Sequence, residues 1–342
     1  MSSRRLFPVL NTLHLEDMGK LEEWMEPEGV AVDVFPMLEK LFITGCPQLA
    51  NVPTFPSLYK LTITDCEGLI SIMLEATMSL RKLTITDCEG LISIMLEATM
   101  SLRKLTITDC EGLISIMLEA TMSLRKLTIT DCEGLISIML EATMSLRKLT
   151  ITDCEGLISI MLEATMSLRK LTITDCEGLI SIMLEATMSL RKLTITDCEG
   201  LISILLEACL SLSHLCVNDC PNLVSFPMVE RLHESPNLER VCLRNCPKLL
   251  TTPKAFASLT CLRELELIHL HLHGFGGMEA LPDWIGNLAS LAYLSLYDCE
   301  KLRYLPSEAA MRRLTELSLL CMCGCPLLKE RCNPHSRPDS EL

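Results

Sequence analysis

Apolar residues along this chain follow a fixed uneven spacing rather than one continuous helical or strand period. From Leu80 the skeleton runs Leu80, Leu83, Ile85, Cys88, Leu91 and Ile94, with mostly polar residues between. The Leu83-x-Ile85 alternation puts two side chains on one face of a short strand. Steps of three follow, which turn the chain and predict an irregular or short-helical return on the other side. The same skeleton recurs with other letters as Leu38, Leu41, Ile43, Cys46 and Leu49, and as Leu238, Val241, Leu243, Cys246 and Leu249. It recurs again as Leu291, Leu294, Leu296, Cys299 and Leu302. First leucines at 10, 38, 58, 80, 102, 124, 146, 168, 190, 212, 238, 262, 291 and 314 mark 14 units.

In the middle of the chain the units stop varying. Residues 79–100 read SLRKLTITDCEGLISIMLEATM and recur unchanged at 101–122, 123–144, 145–166 and 167–188. Near-copies flank them at 57–78 and 189–210, with Tyr59 in the first and Leu205, Cys209 and Leu210 in the last. The 22-residue period and the skeleton are those of leucine-rich repeats. One such unit cannot bury its own apolar face, so units must stack and draw stability from neighbours. The expected fold is an α/β repeat solenoid: a horseshoe with a parallel concave sheet and an irregular or short-helical convex side. The array is expected over 1–335, with a polar tail at 336–342 and no second domain. Met1 lies only nine residues before the first repeat leucine. No capping element is expected before that layer, which suggests a chain cut from something longer.

The ninth slot of the unit changes the reading of the cysteines. Of 19, eleven fall there: Cys46, Cys66, Cys88, Cys110, Cys132, Cys154, Cys176, Cys198, Cys220, Cys246 and Cys299. Such residues stack in a column with parallel Cα–Cβ bonds about 4.8 Å apart, the separation of neighbouring strands. A disulfide needs Cβ atoms roughly 3.5–4.5 Å apart and turned toward each other. The column is therefore expected to be free, buried thiols offering weak S–H donors to the bend, as suits a reducing cytoplasm. No apolar run reaches the roughly 18–20 residues of a membrane span. The net charge of −14 argues against nucleic acid, whose binding rests on phosphate contacts. Mean hydropathy of +0.34 and 4% aromatics fit thin aliphatic layers.

A repeated strand exposes one face, and there the candidate binding residues lie. In the identical units these are Lys82, Thr84 and Thr86, repeated as ladders, with Asp87 beginning the bend. Such a surface can recognise only something extended or repetitive, and it can equally be a solvated sheet face. The varied units offer a more specific surface through Lys40, Phe42, Arg240, Arg244, Arg263, Glu264, Glu266, Tyr293 and Tyr297. Tyr and Arg are common at binding hot spots. On the return side Ile92, Met95 and Leu96 crowd beside Leu91, Ile94 and Ala98. They cannot all enter one thin layer, so a partly exposed apolar ridge is expected along 69–210.

No catalytic motif is found. Phosphate loop, G-x-G-x-x-G, G-x-S-x-G and H-E-x-x-H are all absent from the sequence. His269, His271 and His273 alternate with leucines and could present imidazoles to a metal on one face; plain strand continuation explains them as well. Cys321, Cys323, Cys325 and Cys332, followed by His335, form a second loose cluster lacking the spacing of most zinc sites. No enzyme, cofactor or metal is expected.

Several phrases are more specific than the skeleton. Phe7-Pro-Val-Leu-Asn-Thr-Leu-His-Leu-Glu-Asp-Met runs on to Leu21-Glu-Glu-Trp24, and Phe35-Pro-Met-Leu-Glu-Lys-Leu precedes Cys46-Pro-Gln-Leu. Leu281-Pro-Asp-Trp-Ile-Gly-Asn-Leu-Ala-Ser-Leu and Cys325-Pro-Leu-Leu-Lys-Glu-Arg-Cys332 follow. Together these resemble the C-terminal leucine-rich-repeat region of plant coiled-coil nucleotide-binding disease-resistance proteins. The resemblance implies recognition of a pathogen effector or a guarded host protein. It also implies contact with a nucleotide-binding domain held in its resting state. ATP or ADP would belong to that domain. Two other readings are a leucine-rich-repeat adaptor of a ubiquitin-ligase complex and an engineered or nonfunctional scaffold.

Overall fold

The computed structural model describes residues 7–22, 35–52, 55–75, 79–206, 209, 211–224, 237–246, 248, 261–268 and 279–328. The chain divides into two compact units, Met1–Met188 and Ser189–Leu342.

In the first unit the expected strands form one parallel sheet, here the front sheet. Its strands are Thr12–Glu16, Lys40–Thr44, Lys60–Thr64, Lys82–Thr86, Lys104–Thr108, Lys126–Thr130, Lys148–Thr152 and Lys170–Thr174. Register is set by the repeat: Lys82 faces Lys104 and Thr86 faces Thr108, so like meets like along every row. Leu83 and Ile85 point inward and are fully buried, while Lys82, Thr84 and Thr86 are half-buried on the outer face.

The return side differs from the irregular or short-helical path expected. Ser71–Glu75, Ser93–Glu97, Ser115–Glu119, Ser137–Glu141, Ser159–Glu163 and Ser181–Glu185 form a second parallel sheet. The reason lies in the alternation Ile94-x-Leu96, which has period two. Ile94 and Leu96 turn inward and Met95 and Glu97 outward. Five residues are too few for a stable helix, whereas a ladder to identical neighbours pairs the backbone along the strand. Steps of three between leucines thus mark two tight bends, not a helix.

The two bends are alike, and this halves the repeat. Placing Lys82–Ile92 over Ser93–Arg103 matches Leu83 with Ile94, Ile85 with Leu96, Cys88 with Thr99 and Leu91 with Leu102. All eight are buried. The residue before Cys88, Asp87, has φ +50°, and the residue before Thr99, Ala98, has φ +48°. Only in this left-handed region does the chain turn sharply enough to reverse between sheets. The front bends use Asp17, Gly45, Asp65, Asp87, Asp219, Asn245, Asp298 and Gly324 there, residue types suited to that region. The back bends use Ala98, Ala120, Ala142, Ala164 and Ala186, which are not. Gly90 has a different duty: a Cβ there would overlap the carbonyl oxygen of Glu67 in the preceding unit, so glycine sets the stacking distance.

The ninth-slot cysteines behave as the spacing implies. All eleven are buried thiols outside any disulfide. Cys88 donates its S–H to the carbonyl of Thr86 at 3.3 Å, and Cys66, Cys110 and Cys132 do the same to Thr64, Thr108 and Thr130. In the equivalent back position the Oγ1 atoms of Thr99, Thr121, Thr143 and Thr165 are buried without a hydrogen-bond partner.

The second unit keeps the front sheet with Lys192–Thr196, His214–Asn218, Arg240–Arg244, Glu264–Ile268, Tyr293–Tyr297 and Leu319–Cys323. Its returns vary. One carries a 3-10 helix at Asp283–Asn287, and the next a single α-helical turn at Glu308–Met311. Ser307 caps that turn by accepting from the Ala310 N–H at 3.3 Å. The Asp283 carboxylate accepts from both the backbone N–H and the hydroxyl of Ser307, at 2.7 and 2.9 Å. The last repeat starts at Leu317, not at Leu314, because Tyr293 pairs with Leu319 and Leu291 therefore answers to Leu317. This register moves Cys325 into the ninth slot.

Candidate functional site

Outer front-face residues occupy the first, third and fifth positions of each strand, so three rows run across each sheet. In the first unit one row is Lys40, Lys60, Lys82 and their successors, and the next is His14, Phe42, Thr62 and Thr84. The lysine row is a like-charge ladder. Lys104 is held below the ordinary lysine range by partial desolvation and then by Lys82 and Lys126. In the threonine row the Oγ1 atoms of Thr106, Thr128, Thr150 and Thr172 make no hydrogen bond, so these residues pair by packing alone.

Among the described residues of this unit, only the first strands and the residues beside them break the monotony. His14 stacks on Phe42 with ring centroids 4.4 Å apart, and the Lys60 ammonium lies 4.5 Å from the Phe42 centroid. Lys40 sits 5.9 Å from the Tyr59 ring. Phe42 and Lys40 were expected on this face; His14, Tyr59 and Lys60 were not singled out. The signal for them was the register itself, since His14 and Phe42 hold the same strand position in adjacent units.

In the second unit the remaining expected residues lie on or beside adjacent strands. Arg240 pairs in register with Glu264 and forms a salt bridge with it. The Glu264 carboxylate holds the Arg240 guanidinium above its ordinary range. Arg244 reaches Asp219 at 3.9 Å, and the Asn245 side-chain amide donates to the same carboxylate at 3.1 Å. Arg263 is exposed, Glu266 is half-buried, Tyr293 is 45% exposed, and Tyr297 holds the fifth strand position. The middle row reads Thr194, Cys216, Cys242, Glu266, Ser295 and Cys321. Within this unit Arg240, Arg244, Glu264, Glu266, Tyr293 and Tyr297 therefore share one face; Lys40, Phe42, Lys82, Thr84 and Thr86 belong to the other unit.

The two suspected metal clusters fare differently. His269, His271 and His273 lie outside the described residues, as do Cys332 and His335. Cys325 is buried and donates to the carbonyls of Cys323 and Leu296 at 3.4 and 3.8 Å. It is thus a ninth-slot structural thiol and does not join Cys321 and Cys323, whose sulfurs lie 3.6 Å apart on the outer face.

The apolar ridge is present on the back sheet. Ile92, Met95 and Met100 are 44%, 41% and 48% exposed, and their counterparts repeat along the unit. Leu96, expected to crowd outward with them, is instead buried.

Repeat spacing and parallel stacking define a leucine-rich-repeat solenoid. No protein-family model matches the chain, and no curated protein does. Among solved structures a leucine-rich-repeat protein of Leptospira interrogans is 17% identical, covering 92% of this chain and 95% of that one at a TM-score of 0.30. The leucine-rich-repeat domain of a type III effector, XopL, is 19% identical over 75% of this chain and 77% of its own, at 0.23. An internalin of Listeria monocytogenes is 13% identical over 81% and 85%, also at 0.23. None of these informs the residues of the front face. Among the described residues no helix is long and apolar enough to cross a membrane.

Proposed function

We propose that this chain is a protein-recognition module of plant innate immunity, binding through the varied front face of its second unit. The observation that carries this reading is the contrast between strands. From Lys60 to Thr174 the face repeats the same Lys, Thr and Thr, whereas Arg240 to Tyr297 offers two guanidinium groups, two carboxylates and two tyrosines on adjacent strands. Planar cations and phenols on a rigid sheet recognise a shaped protein surface at low entropic cost. The resemblance to plant disease-resistance proteins supplies the context: a pathogen effector or guarded host protein as partner, and a nucleotide-binding domain as the element restrained. Bound ATP or ADP would reside in that domain. Columns of buried thiols poorly placed for disulfides support a reducing, cytoplasmic setting.

The test is capture of leaf proteins on the immobilised chain and on its Arg244→Ala/Tyr293→Ala/Tyr297→Ala variant, quantified by mass spectrometry. A partner reduced by about tenfold or more on the variant is expected, the loss typical of removing hot-spot side chains. Equal capture by both would remove these three residues from the binding face. A resistance-protein nucleotide-binding domain, tested in the same format, reports on the restraining role separately.

A further inference from the structure

The back sheet of the first unit turns an apolar row to solvent. Met95, Met117, Met139 and Met161 hold the middle position of successive strands, pair in register, and are 40% or 41% exposed. Ile92 beside the strand's start and Met100 in the bend after it are exposed too, and both recur from unit to unit. Half-buried serines run along one side of the methionine row and exposed glutamates along the other, as Ser93 and Glu97 show. From Ser71–Glu75 to Ser181–Glu185 the strands lie about 4.8 Å apart and rise about 3.3 Å per residue, so the face measures roughly 29 by 20 Å, about 600 Å2. Two such faces cover about 1,200 Å2, where the range of specific protein interfaces begins. A repeated apolar face of that size marks an association surface.

We propose that this back sheet is the interface of a two-fold homodimer, each face covered by the same face of a second copy. Pitch argues for that occupant: the methionines repeat at strand separation, and a second copy offers an apolar row with the same repeat. Charge then selects the geometry. Aligned sheets pack with their strands nearly parallel or nearly antiparallel. A two-fold axis along the strands would set Glu97, Glu119, Glu141 and Glu163 against the same row of the second copy, carboxylate on carboxylate. An axis along the stack makes the strands antiparallel instead. Met139 then meets its own counterpart, and Glu141 meets the Ser137 hydroxyl of the second copy. The glutamates lie at the rim, where each accepts from a serine hydroxyl and keeps contact with water. Methionine covers methionine at the centre, and these flexible side chains adapt to one another's shape. The contact uses the same patch on both copies, so the assembly closes at two. It is independent of the recognition proposed above, which uses the front face of the second unit.

Sedimentation velocity of the full chain at about 1–100 µM should show monomer and dimer with no larger species. Met117→Lys/Met139→Lys sets ammonium groups against their own counterparts and should raise the dissociation constant by about 100-fold or more, with its melting temperature checked against wild type. Ser137→Lys/Ser159→Lys reads the register. Antiparallel strands set each new lysine against a glutamate of the second copy, which should tighten the dimer by about threefold or more at low salt; parallel strands would set lysine on lysine. The proposal is overturned by a monomer at every concentration or by a dimer that the methionine variant leaves intact. It is equally overturned by a dimer that the serine variant weakens or leaves unchanged. A series growing beyond the dimer, as stacking of the Lys82 row on the Glu97 row of the next copy would give, also overturns it. Should the methionine variant fail to fold, the wild-type species and the serine variant decide.

Discussion

Cys66 shows what one residue contributes and what it costs. Its side chain is buried and spends its weak donor on the Thr64 carbonyl. Burial pushes the thiol from 9.0 up to about 12. Cys88 is raised in the same direction, by the neighbouring Cys110 thiol and then by burial. A thiol whose folded pKa exceeds its unfolded one favours the native state below pH 9, where both forms are protonated. Above that pH the unfolded chain ionises first, and stability falls until the folded thiol titrates near 12. We therefore expect a fall in urea midpoint between about pH 9 and 11, shallower in a Cys132→Ala/Cys154→Ala variant. A pH profile unaffected by removing these thiols would assign the alkaline loss to other groups. The column itself was legible in sequence, because equal spacing forces equal environment. The facing of Cys216 and Cys242 was not, since it depends on which two strands are neighbours.

At the scale of the element, the five-residue strand and its bend explain why half of each repeat departs from the expected return. Ser93–Glu97 alternates like Lys82–Thr86, but its outward Met95 and the nearby Ile92 mimic a thick apolar stripe. The steps of three pointed to an irregular or short-helical return; only the pairing of each copy with the next reveals a strand. The bend that ends it carries alanine at positive φ, a conformation costing L-residues roughly 1–2 kcal/mol. Ala142→Gly should relieve that strain at a smaller entropic cost in the unfolded chain, a net gain of about 0.5–1 kcal/mol. The same change at Asp131, where the residue already suits the bend, should gain less. Equal responses of the two sites in urea denaturation would show that the left-handed bend stores no strain at alanine.

Taken whole, the first unit is a set of interchangeable layers. Removing residues 123–144 joins Met122 to Ser145 and recreates a junction identical to the one lost. The shortened chain should keep its β-signal per residue and melt only a few degrees lower, roughly the loss of one layer interface. Collapse of the shortened chain would mean that the layers are not additive. At this scale the repeat and the front strands were readable from letter spacing alone. The skeleton continues from Met1–Met188 into Ser189–Leu342 without a change of pattern.

The likeness of Lys82–Ile92 to Ser93–Arg103 bears on how such a chain finds its native alignment. Apart from Cys88 against Thr99, the buried positions are aliphatic in both halves and identical from copy to copy, so a chain offset by half a layer still fills most of its core. The phase is recorded by that pair, by the bends, where Asp87 answers to Ala98, and by the outward residues: lysine and threonine for one face, methionine and glutamate for the other. During folding, many alignments of nearly equal energy therefore compete. The varied segments before Lys60 and after Leu206 act as bookmarks that fix where the count begins and ends.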